Sequence, residues 1–383
     1  MAGAWLLGTD EQVERPRAVL LAVREGDGAD GSGPGSELSL TELRRLADTD
    51  GLAVVDVVVQ TRPRPDPATY VGSGKVDELA TTAEQAGADL VIADGELSPG
   101  QVRNLEERIG VRTVDRTALI LDIFAEHART SEGRLQVELA QVAYQLPRVA
   151  GSGRELSRVG GGRTAGGAGM GVRGPGEMRL ETQRRRLRQR AARLRDRVAE
   201  VARRRERTRR RRTRNEVPSV AITGYTNAGK SSLLNRLTGA DAQVRDVLFA
   251  TLDPTVRRIR LGDTVATVTD TVGFVRYLPH QLVDAFRSTL EEVTRAELAL
   301  HVVDASAPDA RNQISTVRSV LREIGAGDVP ELLVLNKIDI APEESVRDLR
   351  RAYPEAVAVS ARTGAGVDRL RAALAARLTA PAA

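Results

Sequence analysis

The chain has 383 residues, 41% of them hydrophobic and 28% charged, which is enough apolar material for two cores and a connector and too much for a disordered polymer. It has no cysteine, so disulfide frameworks, thiolate metal sites and cysteine nucleophiles are excluded, and its three histidines, His127, His280 and His301, stand at no metal-ligand spacing. The formal charge is only +5, but arginines crowd residues 184–214, and among 57 basic residues only Lys75, Lys230 and Lys337 are lysine, so a retained lysine invites a functional reading.

From residue 18 the pattern alternates. Segments 18–23, 52–59, 90–93 and 111–114 read as buried strands, because β-branched residues cluster there between turn signals. Segments 40–48, 76–86 and 101–109 read as helices between them, which predicts βαβ crossovers and a mainly parallel sheet. Residues 26–36 form a glycine-rich loop and 62–67 a proline-stiffened one; 117–146 has helical spacing and closes an α/β domain over 1–150. Residues 151–176 hold too many glycines to pack and read as a linker. Residues 177–216 then form an arginine-rich helical segment, one helix or a hairpin, with Leu180, Leu187, Leu194, Val198 and Val201 near one face. The βα alternation resumes over 217–383, with strands at 219–223, 264–270, 299–304, 331–336 and 356–359 and helices at 231–237, 310–324 and 367–378.

This second α/β domain carries the chemistry. Gly224-Tyr225-Thr226-Asn227-Ala228-Gly229-Lys230-Ser231, with Ser232 next, follows an apolar strand and opens a helix, as a phosphate-binding loop requires. Its amides and the helix N-terminus can surround phosphates, with Lys230 reaching the β and γ groups and Ser231 binding magnesium. Asp270-Thr271-Val272-Gly273 ends another apolar strand, where the aspartate can reach the magnesium shell and the Gly273 amide the γ-phosphate. In the loop Phe249-Ala250-Thr251-Leu252-Asp253, Thr251 is the candidate sensor of magnesium and γ-phosphate, and Thr255 is the competing choice.

Asn336-Lys337-Ile338-Asp339 follows a further strand at the sheet's carboxyl edge. Asp339 can accept from guanine's ring N–H and exocyclic amine, which adenine lacks, and a carboxylate left unpaired discriminates strongly. Lys337 can cover base and ribose, Asn336 can brace the loop, and Ser360-Ala361-Arg362 can give an amide to the guanine carbonyl. The reading is a GTP hydrolase with magnesium as cofactor, GTP as substrate and GDP as product. Lys230, Thr251 and Gly273 carry the catalytic roles, and Ser231 and Thr251 hold the metal. Phe274 stands where Ras-like enzymes usually carry a water-orienting glutamine, and phenylalanine has neither donor nor acceptor.

The motif order resembles the Ras-like GTPases of the translation-factor-related class. Three stretches resemble the HflX family: Gly174-Pro175-Gly176-Glu177 with Leu180-Glu181-Thr182; the loop 249–255; and Asp270-Thr271-Val272-Gly273-Phe274-Val275-Arg276 with Leu278-Pro279. Gln183 departs from the acid that the family commonly carries there. The resemblance implies an N-terminal α/β domain, a helical connector, a GTPase domain, and binding to the large ribosomal subunit in ribosome splitting or rescue.

The arginine-rich segment independently suits ribosomal RNA, since guanidiniums pair with phosphates and release counterions, while 3% aromatic residues argue against base stacking. The alternatives are a merely solvated helix, or a signalling switch that docks on a protein or an acidic membrane. No basic-then-apolar leader opens 1–10 and no run reaches membrane-span length, so a cytoplasmic monomer is expected. Gly72-Ser73-Gly74-Lys75 is not a second phosphate loop, because Thr69 and Val76 occupy its diagnostic positions; a turn and an RNA contact compete for it.

Overall fold

The computed structural model describes residues 15–24, 33, 35–149, 175–213, 217–239, 247–252, 255–277, 282 and 287–379, except for the side chains of 175–179 and 205–213. Residues 151–174 of the linker expected at 151–176, most of the loop at 26–36, His280 and Asp253 lie outside them. By packing, the chain divides into two compact units: Met1–Ala125 with Leu135–Ala199, and Glu126–Arg134 with Glu200–Ala383.

In the first unit, β1 (Arg17–Arg24), β2 (Ala53–Thr61), β3 (Leu90–Ala93) and β4 (Arg112–Asp115) form a parallel sheet in the order β2-β1-β3-β4. The crossovers run through α1 (Glu37–Thr49), α2 (Ser73–Ala86) and α3 (Pro99–Ile109). β1 is buried from 18 to 23 without alternation, as a strand covered on both faces must be. The start of α3 is set locally by a capping box between Ser98 and Gln101 and by Pro99 in the first turn. Gly72 is the N-cap of α2, and Lys75 pairs with Glu78 at 2.7 Å.

The helical segment expected at 117–146 is two helices, α4 (Arg116–His127) and α5 (Ser131–Val149). Arg116, buried at the head of α4, is neutralised by Asp94 at 2.8 Å and by Glu42; a buried guanidinium is tolerated only when paired.

Pro175 and Gly176, read from sequence as the end of the linker, instead open a single helix, α6 (Pro175–Thr213), rather than a hairpin. Leu180, Leu187, Ala191, Leu194, Val198 and Val201 recur every three to seven residues along one buried or half-buried stripe, and nothing in that spacing calls for a turn. The packing boundary at Ala199/Glu200 falls inside this helix, whereas composition placed it near 217.

The second unit holds β5 (Ser219–Gly224), β6 (Thr255–Leu261), β7 (Thr264–Asp270), β8 (Leu298–Asp304), β9 (Glu331–Asn336) and β10 (Val357–Ala358) in the order β10-β9-β8-β5-β7-β6. All pairings are parallel except that of the edge strand β6 with β7. The helices are α7 (Lys230–Thr238), α8 (Arg287–Thr294), α9 (Ala310–Glu323), α10 (Glu343–Ala352) and α11 (Val367–Thr379). Ile222, Leu233, Val268, Leu300, Val334 and Leu370 are among the core on one face. The chain leaves β5 toward β7 on one side and returns to β8 on the other, which opens a crevice at the carboxyl ends of the strands.

β6 was not expected. Its arginines, Arg257, Arg258 and Arg260, are exposed and leave only Ile259 and Leu261 buried. Farther from the crevice, buried His301 of β8 lies 2.5 Å from Glu331, which also receives Arg318 at 2.7 Å. Burial lowers the His301 pKa; burial alone would raise Glu331, but hydrogen bonds from His301 and Arg318 reverse this and hold it at about 2. Among the described residues, no helix is long and apolar enough to cross a membrane.

Candidate nucleotide site

Residues 224–231 leave β5 as a tight loop and enter α7. Asn227 (φ 59) and Gly229 (φ 88) take left-handed conformations, and a Cβ on Gly229 would collide with the Asn336 amide. The loop is anchored by two backbone hydrogen bonds to residue 274: Thr226 N donates to Phe274 O at 2.7 Å, and Phe274 N to Gly224 O at 3.1 Å. A cleft lined by Thr226, Asn227, Gly229, Lys230, Ser231 and Ser232 takes in Phe249, Ala250, Thr251, Thr271 and Gly273 from the other two motifs. Motifs far apart in sequence thus share one cavity, while Val272 and Leu252 are buried beside it.

Lys230 is buried and donates to the Tyr225 carbonyl at 2.8 Å. Burial lowers its pKa to about 8, against the pull of the Asp270 carboxylate, and burial raises Asp270 in turn. Gly273 has to be small: a Cβ there would lie 2.8 Å from Lys230 Nζ and 2.9 Å from Thr226 Cα. The Ser231 hydroxyl donates to Asp270 Oδ2 at 2.6 Å and lies 2.7 Å from the Thr251 hydroxyl. Asp270 Oδ1 is buried without a hydrogen-bond partner. Two hydroxyls and a carboxylate with a spare oxygen form the hard-donor set that suits magnesium. Thr255, the competing choice, instead opens β6 opposite Asp270.

The base side is tied to the phosphate side through Asn336, which is buried at the end of β9. Its Nδ2 donates to Ala228 O at 2.8 Å, and its Oδ1 accepts from Ala361 N at 3.0 Å. Lys337 (φ 62) pairs with Asp304 at 2.7 Å, and Asp339 with Arg362 at 2.7 Å. The Ser360 hydroxyl, followed by backbone and Arg362 contributions, outweighs desolvation and holds the Asp339 carboxyl below its usual value. It is therefore an acceptor at neutral pH. Ile338 is half-buried, and its amide donates to Val359 O at 3.3 Å, which joins this loop to the one carrying Ser360, Ala361 and Arg362.

Phe274 is buried with Tyr225, Leu290, Val293 and Val317, so its ring serves the core and offers nothing to a reacting water. Three residues to which sequence reasoning gave no part here bond to residues of these loops, Asp304 to Lys337, Arg276 to Tyr225 and His127 to Phe249. Asp304 ends β8 at the same edge as Asn336, a placement that could have marked it. Arg276, whose amide donates to the Tyr225 hydroxyl at 2.7 Å, forms a buried pair with Asp309. His127 reaches the Phe249 carbonyl at 2.9 Å from 122 residues away, and no local signal marks it.

Three family models match the chain in succession: one described as a GTP-binding GTPase N-terminal region at 37–125, one as a GTP-binding GTPase middle region at 127–212, and one as a 50S ribosome-binding GTPase at 219–337. The chain is 47% identical over 361 residues to the GTPase HflX of Caldanaerobacter subterraneus subsp. tengcongensis, covering 93% of this chain and 79% of that protein. It is 46% identical over 343 residues to the GTPase HflX of Escherichia coli, covering 89% and 79%. In fold it is similar to SsGBP, solved as a GDP complex, with a TM-score of 0.50, 24% identity and coverage of 95% of this chain and 98% of that one. With residues 224–231, 270–273 and 336–339 gathered at one sheet edge, the chain belongs to the HflX family of GTPases and is a GTP hydrolase.

Proposed function

We propose that this GTPase works on the large ribosomal subunit, where its GTP-bound form supports subunit separation or rescue and hydrolysis ends the engagement. The observation that carries this reading is the outer face of α6: Arg184, Arg185, Arg186, Arg188, Arg193, Arg195 and Arg197 are exposed around the single apolar stripe. That array suits a phosphate backbone read by charge and shape. The family description that matches 219–337 supports the same partner.

Within the nucleotide site, Ser231 and Thr251 would hold magnesium directly and Asp270 would hold it through its surroundings. Bound there, the ion would neutralise charge developing on the phosphates. Lys230 would hold the β and γ phosphates, the Gly273 amide would meet the γ group, and Asp339 would select guanine. The test is cosedimentation of the full chain with purified large subunits in GDP or in a nonhydrolysable GTP analogue. Retention in the analogue that weakens with salt supports the reading; equal absence from the pellet in both nucleotides at low salt refutes it.

A further inference from the structure

His127 ends α4 and lies in the excursion Glu126–Arg134, which packs with the second unit. Its backbone is braced: Ala128 is buried, Arg134 Nε donates to Ala128 O at 3.1 Å, and Gly133 N donates to Thr130 Oγ1 at 2.9 Å. The ring Nδ1 stands 2.9 Å from the Phe249 carbonyl, and because a carbonyl only accepts, Nδ1 carries the proton in this bond. Phe249 is 2% exposed and has φ 56, a left-handed conformation that a bulky residue holds only when its surroundings impose it. Two residues on, Thr251 reaches the Ser231 hydroxyl at 2.7 Å.

We infer that His127 is a positioning residue for GTP hydrolysis: its Nδ1–H fixes the Phe249 carbonyl and so sets Thr251 over Ser231. The inference rests on the reading of Thr251 given above. The anchor comes from outside the stretch 217–383 that carries the nucleotide motifs, so the loop that senses the γ-phosphate is held by a residue more than a hundred positions away. Small displacements of a reacting constellation are costly in rate, up to about a hundredfold per ångström, even when the moved residue is remote from the chemistry.

The experiment uses the full chain with His127→Ala, His127→Asn, His127→Gln and, in parallel, Thr251→Ala. Turnover is measured at saturating GTP across a magnesium series, alongside GDP affinity and thermal midpoint. Asparagine places its amide N–H where the histidine Nδ1–H stands, and glutamine places it one bond farther out. His127→Ala is expected to lower kcat about tenfold or more, with GDP affinity within about twofold because the phosphate and base loops are untouched, and His127→Asn is expected to restore most of the loss. Parent-like turnover in His127→Ala, or no recovery in His127→Asn, overturns the inference. If the alanine variant does not fold, the asparagine and glutamine variants carry the test: asparagine faster than glutamine supports the inference, and equal rates overturn it. Parent-like turnover in Thr251→Ala would instead remove the reading of Thr251 beneath it.

Discussion

Asn336 and Ala228 are joined by a 2.8 Å hydrogen bond from side-chain amide to backbone carbonyl across 108 residues. The other end of the same amide accepts from Ala361 N at 3.0 Å. One planar group therefore joins the loop 224–231 to the loops that begin at Asn336 and Ser360.

Asn336→Ala should weaken GDP and GTP binding by about 10- to 100-fold, because the Ala361 amide is left buried and unpaired, at a cost of about 1–3 kcal/mol. Isothermal titration of both nucleotides checks this. Unchanged affinities would show that the bridge is dispensable.

Asp339→Asn replaces an acceptor-only carboxylate with a group that presents a donor to guanine's own donors. GTP affinity should fall by about 100-fold, and xanthosine triphosphate should bind better than GTP. Competition against a fluorescent guanine nucleotide reads both changes. Undiminished GTP affinity in the variant would contradict the assignment.

Unassisted turnover should be slow, on the order of 10⁻³ per second or below, since Phe274 faces the core and its ring has neither donor nor acceptor to orient water. Large subunits should accelerate it. The check is multiple-turnover phosphate release with and without subunits shown to bind. Fast hydrolysis by the protein alone contradicts this, as does the lack of any stimulation.

Stability should decline as pH falls below about 6.5. His301 has a folded pKa below its ordinary 6.5, so under that pH the unfolded chain takes up a proton that the folded one refuses. A second loss follows as pH falls from 4.5 toward about 2, where Glu331 finally accepts a proton in the folded state. Urea midpoints at pH 7.5, 6 and 5 should fall less steeply for His301→Asn than for the parent. Parallel slopes would count against this account.

The placement of three motifs was legible in the sequence: residues 224–231, 270–273 and 336–339 each end or follow an apolar strand and can be read from local order alone. Alternation of β and α segments likewise predicted the parallel first sheet and the parallel strands of the second, because strands buried on two faces stand out as aliphatic runs. β6 escaped for the opposite reason, its arginines having erased the run. Asn336 was read as a brace, but neither its partner Ala228 nor the His127 contact could be read locally, since each joins residues more than 100 positions apart. Whether α6 was one helix or two turned on whether the apolar stripe past 187 kept its face, which Ala191, an unremarkable residue in sequence, helps it to do.

The unexpected edge strand β6 has its own consequence. It stands at one end of the six-stranded sheet, where an edge strand can invite pairing with another chain, and the Arg260 carbonyl on it accepts from Arg371 at 2.7 Å. Arg257, Arg258 and Arg260 lie along that rim. A second copy approaching rim to rim would bring guanidiniums against guanidiniums, a like-charge contact that disfavours edge-wise pairing.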